Sequence, residues 1–333
     1  MSTRLVLTLA LCIVGLFGCS LPTVEVQTPE ILPGVTETPF QPAEITPLPE
    51  LVIVTPAFDS TPTMPTELTF EQLRNSQYFT IRLGSSAPLT YRMQDGFYRL
   101  GDDPTQPDYG TVNLLNTHTF GDLNNDANPD AVVFLVENYG GTGQFVQAAV
   151  VLNQDGEPVH HTSYFLGDRV AVNNVAIQDG EIMLTARVHG PQDGLCCPSV
   201  PAQFQLRLIN QNQLAITRFT TQAPNGQERA INIRAPLNDS EVSGTVTITG
   251  DVTIAPFENN LTYTVYDSQY QPIAQSYITV DAPDFGAPGT FALTIDLAAL
   301  GLTGDIYIEI TDLSAADGSQ LALTQLHLQV RYP

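Results

Sequence analysis

Five oxygen-bearing side chains recur at every second position in one stretch of this chain: Asp122, Asn124, Asp126, Asn128 and Asp130. Side-chain oxygens at loop positions 1, 3 and 5, a backbone carbonyl at 7 and a carboxylate at 9 are what a hard cation such as Ca²⁺ takes as ligands. The spacing therefore predicts a calcium loop with a structural role. Two positions depart from the pattern. Ala127 stands where glycine makes the sharp turn, and Val133 where a bidentate glutamate closes the site. The plain alternative is a turn in which Asp and Asn bond their own backbone.

Cys196 and Cys197 are neighbours, and they are the only thiols beyond residue 19. Adjacent Cα atoms lie about 3.8 Å apart, short of the roughly 4.4 to 6.8 Å usual for a bridge. The two sulfurs either bond to each other and stiffen a loop or stay reduced. A zinc site using both with His189 lacks a fourth ligand. His160, His161 and His189 are the candidates for acid–base chemistry. No serine sits in a G-x-S-x-G turn, and neither H-E-x-x-H nor a phosphate-cradling glycine loop occurs. Gly140, Gly141 and Gly143 read as a loop between strands. An envelope hydrolase built on His and Asp is thus the alternative, and binding or scaffolding without catalysis is the expectation.

The charge balance narrows the partners. In 333 residues, 35 acidic side chains face 12 basic ones, all arginine, for a net charge of −23. Such a chain has no electrostatic footprint for a phosphate backbone, so nucleic acid is excluded as a partner. The same field opposes docking on anionic lipid, so any membrane attachment must be covalent or apolar.

The N-terminus supplies one. Arg4 gives a positive start, Leu5 to Phe17 is an uncharged apolar run too short to span a membrane, and Leu16-Phe17-Gly18-Cys19 follows. This resembles the bacterial lipobox, which implies a signal peptide over 1–18 and acylation of Cys19. Two or three acyl chains anchor stably, so the expected location is the extracytoplasmic face of the cell membrane. Residues 20–66 hold ten Pro, nine Thr, six acidic and no basic residues. Proline at that density blocks helix and ladder alike, so 19–67 reads as an extended stalk.

The folded part must position the candidates above. Thr69 caps a short helix at Phe70 to Leu73. Strands follow at 131–136, 145–152, 170–177, 182–188, 204–209 and 214–219, with hairpin turns at Asp95-Gly96 and Asp179-Gly180. This is a β-rich domain with one short helix over 68–222, and Ala223-Pro224-Asn225-Gly226 breaks the pattern after it. Seven short strands at regular spacing over 228–333 predict an immunoglobulin-like sandwich. The fold class is mainly β.

Two resemblances add to this. Ile231 to Pro236, Val242 to Gly250, Phe291 and Asp317-Gly318 resemble the Gmad2 immunoglobulin-like domain over about 230–331. That family is associated with bacterial spore germination proteins and extracytoplasmic lipoproteins, and no GerMN pattern precedes it here. Gly121 to Asp126, Leu166 to Arg169 and Cys196-Cys197-Pro198 are similar to an uncharacterised exported family, and Asp122 to Asp130 between strands resembles FG-GAP calcium loops. The joint expectation is a membrane-anchored lipoprotein that binds an extracellular or envelope protein or polysaccharide. A structural spacer without a specific ligand is a further alternative.

Overall fold

The computed structural model describes residues 67–81, 88–284 and 286–331, all within one compact unit. The signal peptide, Cys19 and the stalk to residue 66 lie outside the described residues.

Thr69 opens the helix as its type dictates. Its hydroxyl accepts from Gln72 N–H at 3.3 Å while Gln72 Oε1 accepts from Thr69 N–H at 2.8 Å, a reciprocal cap for α1 (Phe70–Arg74). Everything else regular among the described residues is strand, apart from a three-residue 3-10 turn at Phe257–Asn259. β1 (Gln77–Ile81) and β2 (Pro88–Arg92) pair with each other. β3 (Phe97–Leu100), β4 (Gly110–Gly121), β5 (Asp130–Asn138), β6 (Phe145–Gln154) and β7 (Glu157–Asp168) form a five-stranded antiparallel meander. β8 (Ala171–Gln178), β9 (Glu181–Val188), β10 (Val200–Ile209) and β11 (Gln213–Gln222) form a second meander.

Three layers result. Val132 and Phe134 of β5 and Val146, Ala148 and Val150 of β6 pack against Ile182, Leu184, Phe204 and Leu206 of the second meander. The other face of the same strands, Ala131, Val133, Leu135, Ala149 and Val151, is covered by Leu73 of α1 with Tyr78 and Tyr91 of the small hairpin. A strand buried on both faces reads as an unbroken apolar run, as Ala131 to Val136 does.

Two expectations need correction. Asp95 and Gly96 do take the positive φ of 54° and 80° that a tight turn asks for. The strands beside them do not pair, however, beyond a single bridge between Gln94 and Phe97. β2 goes to β1 and β3 to β4, because Tyr91 and Met93 are needed in the core beneath α1. β1, β4 and β7 were not foreseen either. β7 carries Pro158, His160, His161 and Ser163 where alternation would place apolar residues.

After the turn at Ala223–Gly226 come β12 (Glu228–Arg229), β13 (Ile231–Ala235), β14 (Ser240–Val242), β15 (Thr245–Val252), β16 (Asn260–Tyr266), β17 (Pro272–Asp281), β18 (Gly289–Asp296), β19 (Gly304–Leu313) and β20 (Gln320–Val330). β13, β15 and β18 make one face, and β16, β19 and β20 the other. β17 serves both: it pairs with β16 along most of its length and with β18 at Val280 and Asp281. Ile248, Leu261, Val265, Leu293, Ile308 and Leu326 fill the space between. Gly250 lies where β15 passes close to its neighbours. A Cβ there would stand 2.3 Å from the Asn232 carbonyl oxygen and 2.4 Å from the Phe291 ring, which accounts for glycine at the end of that strand's motif.

The two regions share a seam. β11 pairs with β20 at Arg218–Thr324 and Phe219–Leu323, so strands run without a break from β13 to β8. Leu323 enters the core of the second meander, and Thr221 Oγ1 donates to the Leu321 carbonyl at 2.7 Å.

Candidate functional site

The covering layer of α1, β1 and β2 is smaller than the sheet it covers. Beyond its edge the β6 and β7 surface carries Phe145, Gln147, Thr162, Ser163 and Phe165, and Phe79 of β1 stands opposite. Together they line a cleft of about 250 Å³. Phe79 is 39% exposed and Phe165 45%. Tyr139, Phe145 and Phe165 follow one another with centroids 5.5 and 6.4 Å apart. Gln147 is held from below, its Nε2 donating to Oε1 of buried Glu137 at 2.8 Å, while the Tyr139 hydroxyl donates to the other oxygen.

His160 and Ser163 meet at the rim. His160 Nε2 lies 2.9 Å from Ser163 Oγ, the distance of a nucleophile and its base. The tautomer runs the other way. Phe79 N–H donates to His160 Nδ1 at 3.1 Å, and burial pushes the ring down to about 4, so it is neutral with its proton on Nε2. That nitrogen donates to Ser163 and has no lone pair with which to take the serine proton. Rings of Tyr78 and Phe79 pack on the imidazole at 5.3 and 4.3 Å, as suits a side chain that braces β1 against β7.

The other histidines stand apart. His161 faces the Gln211 carbonyl. His189 Nε2 is buried without a partner, beside a loop that Asp193 closes by accepting from Gly190 N–H, Ser199 N–H and Ser199 Oγ at 2.7 to 2.8 Å. Those bonds, the Ser199 hydroxyl first, hold the Asp193 carboxyl below its ordinary range. Cys196 and Cys197 are bonded to each other in the same loop, with their Cα atoms 3.8 Å apart, and Leu195 beside them is 77% exposed.

In the acidic stretch, Asp122 accepts from Asn125 N–H at 2.7 Å and Ala127 N–H at 2.9 Å. Asn124 and Asp126 accept from Asp126 and Asn128 N–H in turn. Asn125 and Ala127 both have positive φ, 62° and 66°, so the turn forms without the glycine. Asp130 is fully buried and faces inward, its oxygens taking Leu123 N–H at 3.0 Å and Asn153 N–H at 2.9 Å. Burial, and then the nearby Asp126 and Asp122, raise its pKa. Among the described residues no group of three or more His, Cys, Asp or Glu side chains is arranged to hold a metal ion.

Sequence reasoning missed two polar clusters. His327 on β20 lies between Asp239, 2.5 Å from Nδ1, and Asp305, 3.1 Å from Nε2. Glu309 on β19 sits where the two regions meet. Tyr270 bonds it and takes a 2.7 Å bond from Gln325 Nε2, and burial pushes Glu309 up to about 7. Tyr164 of β7, pushed up to about 12 by burial and then by Glu309, belongs to the same group. Each cluster draws on segments far apart in the chain, so no local spacing announces it.

Comparison with known proteins bears on the last hundred residues. Residues 230–319 match the family described as the Gmad2 immunoglobulin-like domain of bacterial spore germination. A Gmad2-like immunoglobulin domain therefore occupies this part of the chain. No curated protein matches the chain.

Proposed function

We propose that this chain is a lipoprotein held by acylated Cys19 at the extracytoplasmic face of the cell membrane, where its β domains bind a partner in the envelope without catalysis. The observation that carries the binding role is the cleft of Phe79, Phe145 and Phe165, whose half-exposed rings belong to neither core. An immunoglobulin-like domain beside it suits display and scaffolding. Against a hydrolase that uses His160 as its base, its Nε2 is engaged as a donor. Calcium at the 122–130 turn is part of the proposal in a structural capacity only.

Envelopes sedimented with unacylated protein of residues 20–333 test the role, so that co-sedimentation does not report the acyl chains. Wild-type protein is expected to co-sediment and Phe165→Ala protein to remain in solution, and absence of co-sedimentation by either would remove the binding role. Anchoring is tested separately. Cys19→Ala protein is expected in the medium or unprocessed, because acyl chains are the only membrane affinity the reading supplies. Correctly cleaved Cys19→Ala protein that stays on the membrane would refute it.

A further inference from the structure

The polar groups of the aromatic cleft specify what kind of ligand completes it. Gln147 Nε2 is spent on Glu137, which leaves Oε1 as an acceptor with no donor among the described residues. Ser163 Oγ accepts from His160, so its own hydrogen is left to give. Thr162, next along β7, lines the cleft as well. The occupant must offer both donors and acceptors to these groups and a flat apolar face to three rings.

We propose that the cleft binds a neutral glycan, with Phe79, Phe145 and Phe165 against the C–H faces of the sugar rings and Gln147 and Ser163 bonding their hydroxyls. This rests on the binding role above and names its ligand class. Ring C–H groups carry partial positive charge and meet the negative face of an aromatic ring. Sugar hydroxyls donate and accept together, which satisfies an orphan amide oxygen and an orphan hydroxyl hydrogen at once. An aliphatic side chain of a protein partner would bury those same groups unpaired, at a cost. Among the described residues no cation lines the cleft, and the chain is strongly acidic, which disfavours an anionic polymer.

The test uses the mature full-length protein in native gels cast with a soluble neutral β-glucan, a galactomannan or an arabinoxylan, and with polygalacturonate as the anionic control. Retardation by at least one neutral polymer and none by polygalacturonate is expected. Phe165→Ala should weaken it at least about tenfold and Ser163→Ala several-fold. Phe257→Ala, an exposed ring in the immunoglobulin-like domain, should leave it unchanged. Unaltered melting temperatures of the variants separate lost contacts from lost fold, and Ser163→Ala guards against a misfolded ring variant. Lack of retardation by every neutral polymer, or retardation that survives both cleft substitutions, overturns the proposal. Envelopes treated with protease or with periodate separate it from the broader role. Co-sedimentation that resists protease and is lost on periodate oxidation supports the glycan. Co-sedimentation lost to protease and indifferent to periodate makes the occupant a polypeptide, which overturns the glycan and keeps the binding role. No co-sedimentation with any envelope sinks both.

Discussion

Removing the Asp130 carboxylate would leave the N–H groups of Leu123 and Asn153 buried with nothing to bond. Each orphaned donor costs about 1 to 3 kcal/mol, so Asp130→Ala is expected to lower unfolding stability by about 2 to 4 kcal/mol in urea titrations. A loss below half a kcal/mol would mean that the loop rearranges. The outward-facing members of the same stretch answer to a different test. Asp122 and Asp126 add to the charge that Asp130 feels, and a divalent cation near them would reverse that repulsion. Millimolar Ca²⁺ is expected to raise the melting temperature by a few degrees, with Mg²⁺ less effective and Asp122→Ala abolishing the shift. Indifference to calcium would reduce the stretch to a turn held by its own hydrogen bonds.

At the scale of elements, β19 carries a buried carboxyl that resists ionisation. Glu309 has a folded pKa of about 7 against an ordinary 4.5, with burial as the cause. A raised carboxyl pKa favours the protonated folded state, so the stability Glu309 contributes is fully present below about 4.5 and is lost as pH rises through 7. The melting temperature should fall between pH 5 and 8 for this reason, and Glu309→Gln should flatten that dependence. An unchanged slope in the variant would assign the pH response to another group. The elements themselves were unevenly legible. β5, β6 and the strands of the last hundred residues announce themselves by apolar runs or strict alternation, as in the buried–exposed pattern of Gly289–Asp296. β7 hides because its inner positions carry a bracing histidine and the hydroxyls of the cleft. The cleft is illegible for a related reason. Its rings come from positions 79, 145 and 165, and they converge only because the hairpin layer stops short of the sheet's end.

For the whole molecule, the seam between β11 and β20 decides how separable the parts are. The core around Ile248, Leu261 and Ile308 is complete without residues 68–222. Cutting the chain would expose Leu323, Tyr307 and the edge of β20 and would break the short β11–β12 pairing, leaving the ladders within that core intact. A fragment of 228–333 is therefore expected to unfold cooperatively, at a lower melting temperature than the full chain. A non-cooperative melt would make the continuous sheet, and not the sandwich, the folding unit. One further consequence follows from where the small hairpin layer lies. Under the proposed anchoring, the described fold begins at residue 67 and reaches Phe79, a wall of the cleft, twelve residues later through α1 and β1. With a ligand seated there and the N-terminus tethered, tension runs through that short segment and across its packing on Leu135 and Ala149. Residues 230–319, the immunoglobulin-like part, lie outside the segment that would carry that load.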